Sequence, residues 1–195
     1  MRRLRLAIFA SGNGTNARNL FEHYKQGKLG LLEPVVLLAD KDCGALKHAD
    51  NYGIEYKVFK TKDYPSRSAQ EAAISKFLEE KQIDLMALAG YMRLLTADFV
   101  NKYASRILNI HPALLPEFPG TESIERAYAA TVPFSGITVH LVDEGMDTGP
   151  ILAQKKVDLK AGMSLEDFAQ AMHQAEYELY PEALVKYAEE YAAKI

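Results

Sequence analysis

Short apolar runs alternate with helix-period segments along the first half of the chain, and this alternation restricts the fold more than any single residue does. Leu6–Ala10 is an apolar run ending at a Gly/Asn loop, and Ala17, Leu20, Phe21 and Tyr24 then recur at helical spacing. Pro34–Ala39 is a second run, Asp40 to Gly44 make a turn, and Ala45–Tyr52 reads as a short helix stopped by Gly53. Tyr56–Phe59, a helix over Ser68–Lys81 and a strand over Leu85–Ala89 continue the series. Thr96 then reads as the N-cap of a helix carrying Phe99, Val100 and Tyr103. Strand–helix–strand order calls for a parallel sheet covered on both faces, with ligands at the carboxyl ends of its strands. Ser11–Asn16, Gly90–Leu95 and Asn109–Pro112 all fall at that edge.

The second half changes character. Pro112, Pro116 and Pro119 are expected to keep Asn109–Gly120 out of regular structure. Gly136–Val142 and Ile151–Val157 are β-type runs flanking Asp143–Pro150, and they read as a mixed or antiparallel extension of the sheet. Ser164-Leu165-Glu166-Asp167 fits a capping box that starts the last helical region, which Pro181 is expected to kink or split. The fold class is therefore α/β: a Rossmann-like doubly wound sheet, mostly parallel, with a mixed or antiparallel C-terminal extension. A length of 195 residues suits one domain, read here as 1–195.

Charge and cysteine content narrow the function classes. A net charge of −3 argues against a nucleic-acid-binding face. The single cysteine, Cys43, excludes an intrachain disulfide and fits a reducing, cytoplasmic compartment. Met1-Arg2-Arg3 begins like a leader, but its apolar stretch is short and broken by Arg5, and no run approaches a membrane span. No histidine pair has metal-ligand spacing, so no metal site is expected.

Ser11-Gly12-Asn13-Gly14-Thr15-Asn16 lies where a helix N-terminus would present unpaired N–H groups and a positive dipole end to an anion. Gly14, Thr15 and Asn16 are candidate phosphate contacts, with Thr15 and Asn16 adding side-chain donors. The same letters, Gly12-x-Gly14-x-x-Ala17, also match a dinucleotide fingerprint, with Asp40 where a ribose-binding acid can sit. The Ser, Asn and Thr content suits a terminal monophosphate better than a buried pyrophosphate. An ordinary strand-to-helix turn is the bland alternative.

Asn109, His111 and Asp147 supply an amide, an imidazole and a carboxylate, the parts needed to move an acyl group between amines. Such a transfer passes through a tetrahedral intermediate that needs donors to its oxyanion and a path for the amine proton. In an extended segment, Asn109 and His111 face one side, and Asp147 can favour a charged imidazole. Taken singly, His111 reads as a turn-capping histidine and Asp147 as a turn residue. His140 reads as structural or supporting. His23, His48 and His173 lie in helical segments and read as partly exposed. Ser11 and Cys43 lack a visible base and are poor nucleophiles.

With Ser11–Asn16, Ala89-Gly90-Tyr91-Met92-Arg93, Leu108–Pro119 and Met146–Pro150 in this order, the chain resembles the formyltransferase superfamily. The Ser-Gly-Asn-Gly-Thr-Asn loop narrows the resemblance to the folate-dependent glycinamide ribonucleotide transformylase family. It extends from Leu6 to about Tyr187. The resemblance implies transfer of formyl from 10-formyltetrahydrofolate, as co-substrate, to the amine of glycinamide ribonucleotide in purine synthesis. It implies catalytic roles for Asn109, His111 and Asp147. Gly14, Thr15 and Asn16 would hold the ribonucleotide phosphate, and Glu176 the ribose. Arg67, Met92, Arg93, Leu94, Leu95 and Asn109 would line the folate pocket. The resemblance thus makes about 1–108 a ribonucleotide-binding half and about 109–195 a catalytic and folate-binding half. The chain departs from the family at Thr121-Glu122, where some members carry a histidine after the Pro-Gly.

Two rival readings are a formyltetrahydrofolate deformylase-like hydrolase and a non-catalytic nucleotide-binding protein. The hydrolase usually carries a regulatory domain ahead of the first strand, and the related methionyl-tRNA enzyme carries a C-terminal RNA-binding domain. Neither is expected here. A nucleotide sensor would explain the Gly-rich loop but not Asn109, His111 and Asp147 together. Expected partners are small molecules, without nucleic acid or membrane, and the sequence does not choose between monomer and homodimer.

Overall fold

The computed structural model describes residues 2–195, so Met1 of the leader-like start lies outside the described residues. In chain order the elements are β1 (Leu4–Ala10), α1 (Thr15–Lys25), β2 (Leu32–Ala39), α2 (Ala45–Tyr52), β3 (Glu55–Val58), α3 (Arg67–Glu80), β4 (Leu85–Leu88) and α4 (Ala97–Lys102). They continue with β5 (Ile107–His111), α5 (Ser123–Ala129), β6 (Phe134–Leu141), β7 (Ile151–Asp158) and α6 (Leu165–Ala192). The strands form one sheet in the order β3-β2-β1-β4-β5-β6-β7. Pairings from β3 across to β5 are parallel, and β5–β6 and β6–β7 are antiparallel. The expected mostly parallel sheet with an antiparallel C-terminal extension is what forms.

Burial on both faces explains why β1 from Leu6 onward and β4 are apolar throughout. Leu6, Ile8 and Ala10 of β1 join the core beneath α1, α2, α5 and α6. Ala7 and Phe9 point the other way, into the core beneath α3 and α4. A strand buried on both faces cannot show polar alternation. Pro34 breaks the β1–β2 ladder because it has no N–H. The register shifts there, from Leu6 opposite Pro34 to Ala7 opposite Val36. Thr96 caps α4 by accepting from the Phe99 N–H at 3.3 Å, and the buried Glu71 carboxylate accepts from the Thr96 N–H at 2.9 Å.

Three local expectations are corrected. Asn109–His111 is not irregular: it is the end of β5, because its ladders to β4 and β6 outweigh the prolines, which begin only at Pro112. Helix α5 forms where no helix was expected, its apolar face reduced to Ile124 and Ala127. Helix α6 is not split at Pro181 and runs unbroken through it. The proline frees the carbonyl of Tyr177, four residues back, and the Asn19 amide of α1 donates to that oxygen at 2.8 Å. Among the described residues, no helix is long and apolar enough to cross a membrane.

Candidate active site

The carboxyl end of β5 places the acyl-transfer candidates. Leu108 and Ile110 turn into the core beneath α6, which leaves Asn109 and His111 on the opposite side. Antiparallel pairing sets His140 of β6 directly across from Asn109, and Thr138 across from His111. The His140 Nδ1 lies 2.8 Å from the Leu141 carbonyl, which can only accept, so Nδ1 carries the proton. In the neutral ring the other nitrogen, Nε2, accepts from the Asn109 amide at 3.2 Å, and a proton added to Nε2 would turn that nitrogen into a donor toward Asp147. His140, read from sequence as structural or supporting, therefore orients Asn109 and leaves its second N–H free.

His111 is buried, with 5% exposure. Its Nε2 donates to the Phe118 carbonyl at 2.9 Å, and its Nδ1 lies 3.4 Å from Asp147 Oδ2. The other carboxylate oxygen of Asp147 lies 3.6 Å from His140 Nε2, and the Gly120 N–H donates to Oδ2 at 2.8 Å. Asp147 sits at φ +56°, an uncommon backbone state that aspartate tolerates. The following turn closes because Gly149 has no side chain: a Cβ there would overlap the Leu141 carbonyl oxygen. Burial pushes the Asp147 carboxyl up, but His140, the Gly120 N–H and His111 more than offset this and hold it below its ordinary value of 3.8. This carboxylate thus stabilises the fold above its ordinary value, and that contribution disappears as pH falls through the lower folded value. Asp147→Asn is expected to flatten the acid limb of the stability–pH curve, measured by urea unfolding at a series of pH values. An unchanged acid limb would contradict the arrangement.

The Gly-rich loop is fixed from two sides. The Ser11 N–H donates to the Gly90 carbonyl at 3.1 Å, and Ser11 Oγ accepts from the Met92 N–H at 2.9 Å. Gly14 has φ +74°, and a Cβ there would stand 2.5 Å from Ala45 Cα. Its missing side chain therefore admits the start of α2 rather than a pyrophosphate. Gly12 faces open space. Helix α1 has no side-chain cap and no acidic residue in its first turn, which leaves its leading amides available to an anion.

Asn16 departs from its expected role. Its side chain is buried, and Nδ2 lies 3.4 Å from Glu176 Oε2, so any phosphate contact at this position comes from the backbone. His173 Nδ1 lies 2.9 Å from the same Glu176 oxygen. The hydrogen bond to Glu176 raises the His173 pKa, against the opposing effect of burial. The sequence reading passed over this pair, although its i, i+3 spacing on one helix was visible.

Met92 and Leu94 are 72% and 54% exposed, unusual for such side chains, and Leu95 is half-buried behind them. Arg93 donates to Thr61 Oγ1 at 2.9 Å and approaches Asp40 Oδ2 to 3.9 Å. Arg67 is exposed at the start of α3 and makes no hydrogen bond or ion pair among the described residues. Among the described residues no group of three His, Cys, Asp or Glu side chains is placed to hold a metal ion.

Residues 4–184 match the family described as formyl transferase. The phosphoribosylglycinamide formyltransferase of Bacillus subtilis is 38% identical over 92% of this chain and 92% of its own length. The crystal structure of glycinamide ribonucleotide transformylase 1 from Geobacillus kaustophilus superposes with a TM-score of 0.92 at 43% identity, covering 95% of this chain and 98% of that one. The trifunctional purine biosynthetic protein adenosine-3 of Drosophila melanogaster is 38% identical over 94% of this chain, which spans 14% of that protein. Matched almost end to end in sequence and in fold, the chain belongs to the formyl transferase family, among the phosphoribosylglycinamide formyltransferases.

Proposed function

We propose that this chain transfers the formyl group of 10-formyltetrahydrofolate to the amine of glycinamide ribonucleotide, a step of purine biosynthesis. The observation that carries the reading is the convergence of Asn109, His111 and Asp147 at one strand end. The amine attacks the formyl carbon directly, because no side chain here is set up as a nucleophile. The free Asn109 N–H and the His111 Nε2–H hold the oxyanion of the tetrahedral intermediate. Asp147 holds the imidazole in its protonated form. As the intermediate collapses, His111 gives a proton to the folate N10, the formyl C–N10 bond breaks and tetrahydrofolate leaves. The proton lost by the attacking amine goes to Asp147, which restores the imidazolium. His111 Nε2 must exchange the Phe118 carbonyl for the oxyanion, so the 112–120 segment shifts as the folate binds.

The leading amides of α1, at Gly14, Thr15 and Asn16, take the phosphate, and Glu176 takes the ribose hydroxyls. Met92, Leu94 and Leu95 wall the folate ring system, while Arg93 and Arg67 face its carboxylate end. Residues 1–195 act as one unit, with about 1–108 supplying the phosphate loop and about 109–195 the catalytic groups. Cys43, with no second cysteine in the chain, fits a cytoplasmic setting.

The test is acceptor dependence. Tetrahydrofolate should form rapidly with glycinamide ribonucleotide present and negligibly without it, followed by absorbance in the steady state. Equal turnover without the ribonucleotide would favour the hydrolase.

A further inference from the structure

Tyr180 of α6 is fully buried, and the chemistry above makes no use of it. Its ring joins the same core as Leu108 and Ile110. Its hydroxyl lies 2.9 Å from the Leu88 carbonyl oxygen and 3.1 Å from that of Leu108. Both oxygens can only accept, so one O–H is shared between β4 and β5. Burial raises the phenol pKa well above its ordinary value of 10, which keeps the group a donor. Leu88 is the last residue of β4, and the final rung of the β4–β5 ladder pairs it with Asn109. Leu108 shares a peptide bond with Asn109. The O–H therefore meets the sheet where the ladder ends, from the face opposite the Asn109 side chain.

We propose that Tyr180 is a positioning residue: its hydroxyl clamps the carboxyl ends of β4 and β5 to one point of α6 and so fixes the Asn109 oxyanion donor. A phenylalanine would fill the same core volume, so the hydroxyl adds only the tie. His140 holds the Asn109 side chain from β6 at 3.2 Å, and Tyr180 holds the backbone on which that side chain stands. The base of the clamp is itself seated, because the Asn19 amide of α1 takes the Tyr177 carbonyl one turn of α6 away at 2.8 Å. Misplacing a reacting group by about 1 Å can cost on the order of 10²-fold in rate, so a tie under the donor reaches the chemistry without touching substrate. The inference rests on the oxyanion role of Asn109 and adds the group that holds it in place.

The experiment is a double-mutant cycle on kcat with Tyr180→Phe, which keeps the ring and removes one oxygen. The variant should fold, with its melting temperature lowered by roughly 2–8 °C, the usual effect of losing a buried hydrogen bond in a chain of this size. Its kcat should fall on the order of ten-fold, with the KM for glycinamide ribonucleotide unchanged. In the Asn109→Ala background the same change should cost less than about two-fold, because the group it positions is gone. Parental kcat in Tyr180→Phe, or an equal loss in both backgrounds, would make the hydroxyl purely structural and overturn the clamp. A raised ribonucleotide KM at parental kcat would also overturn it, by showing that the hydroxyl seats Glu176, one turn before it on α6, rather than Asn109. Should the variant melt near the assay temperature, the Asn109 side-chain amide resonances read by NMR in the cold decide the matter: they should shift, and coincidence with the parent would overturn the clamp. Parental kcat in Asn109→Ala alone would instead overturn the oxyanion reading.

Discussion

His111→Ala is expected to lower kcat by about 10²–10³, the usual effect of removing an oxyanion donor. The ring also carries the contact between Asp147 and the transition state, so the loss should fall on kcat and leave the KM for the ribonucleotide little changed. The phosphate loop lies on a different strand end, tied to Gly90 and Met92 rather than to β5. Asn109→Ala should cost a similar amount, because His140 holds the Asn109 amide with one N–H free. The double variant should be little worse than either single one, since both donors serve one oxyanion. Steady-state kinetics with circular dichroism as the fold control measures this. A His111→Ala enzyme with near-parental kcat would remove the imidazole from the chemistry.

The second large effect is on the Gly-rich loop, where two glycines do different work. Gly14→Val places a β-branched side chain at φ +74° and drives its Cβ to 2.5 Å from Ala45 Cα. Backbone strain and overpacking together should cost about 3 kcal/mol or more, lowering the melting temperature by roughly 6–12 °C in a domain of this size. Gly12→Val meets open space and should leave the melting temperature unchanged. It should nevertheless weaken ribonucleotide binding on the order of ten-fold or more, by blocking charge-assisted hydrogen bonds from the start of α1. Calorimetry of stability and of binding on both variants separates the roles. A Gly12→Val protein with intact ribonucleotide affinity would take the loop out of the site.

Much of this was legible along the chain because the signals are local. Gly53 stops α2 where the sequence says it should, and the strands β1, β2 and β4 follow from their apolar runs. What the sequence misread depends on residues far apart in number. Asn109–His111 was expected to be irregular because prolines follow it, whereas its strand pairing is supplied by Met86–Leu88 and Thr138–Leu141. Pro181 was expected to kink or split α6, yet Asn19, remote in sequence, takes up the carbonyl it frees. The candidate triad was visible as residue types, but the placement of His140 against Asn109 needed the β5–β6 register. Asn16 was expected to offer its side chain to phosphate, and only the packing of α1 on α6 turns that side chain to Glu176.

The account stands on direct transfer between two bound molecules, and the fate of the formyl carbon tests that most directly. The enzyme is mixed with formyl-labelled 10-formyltetrahydrofolate, with and without glycinamide ribonucleotide, and quenched within a single turnover. With the ribonucleotide present, label should move one for one into the formylated amine, none should remain on precipitated protein, and without it the label should stay on the folate. Label recovered as formate in the absence of ribonucleotide, or bound covalently to the protein, would contradict the assignment of Asn109, His111 and Asp147.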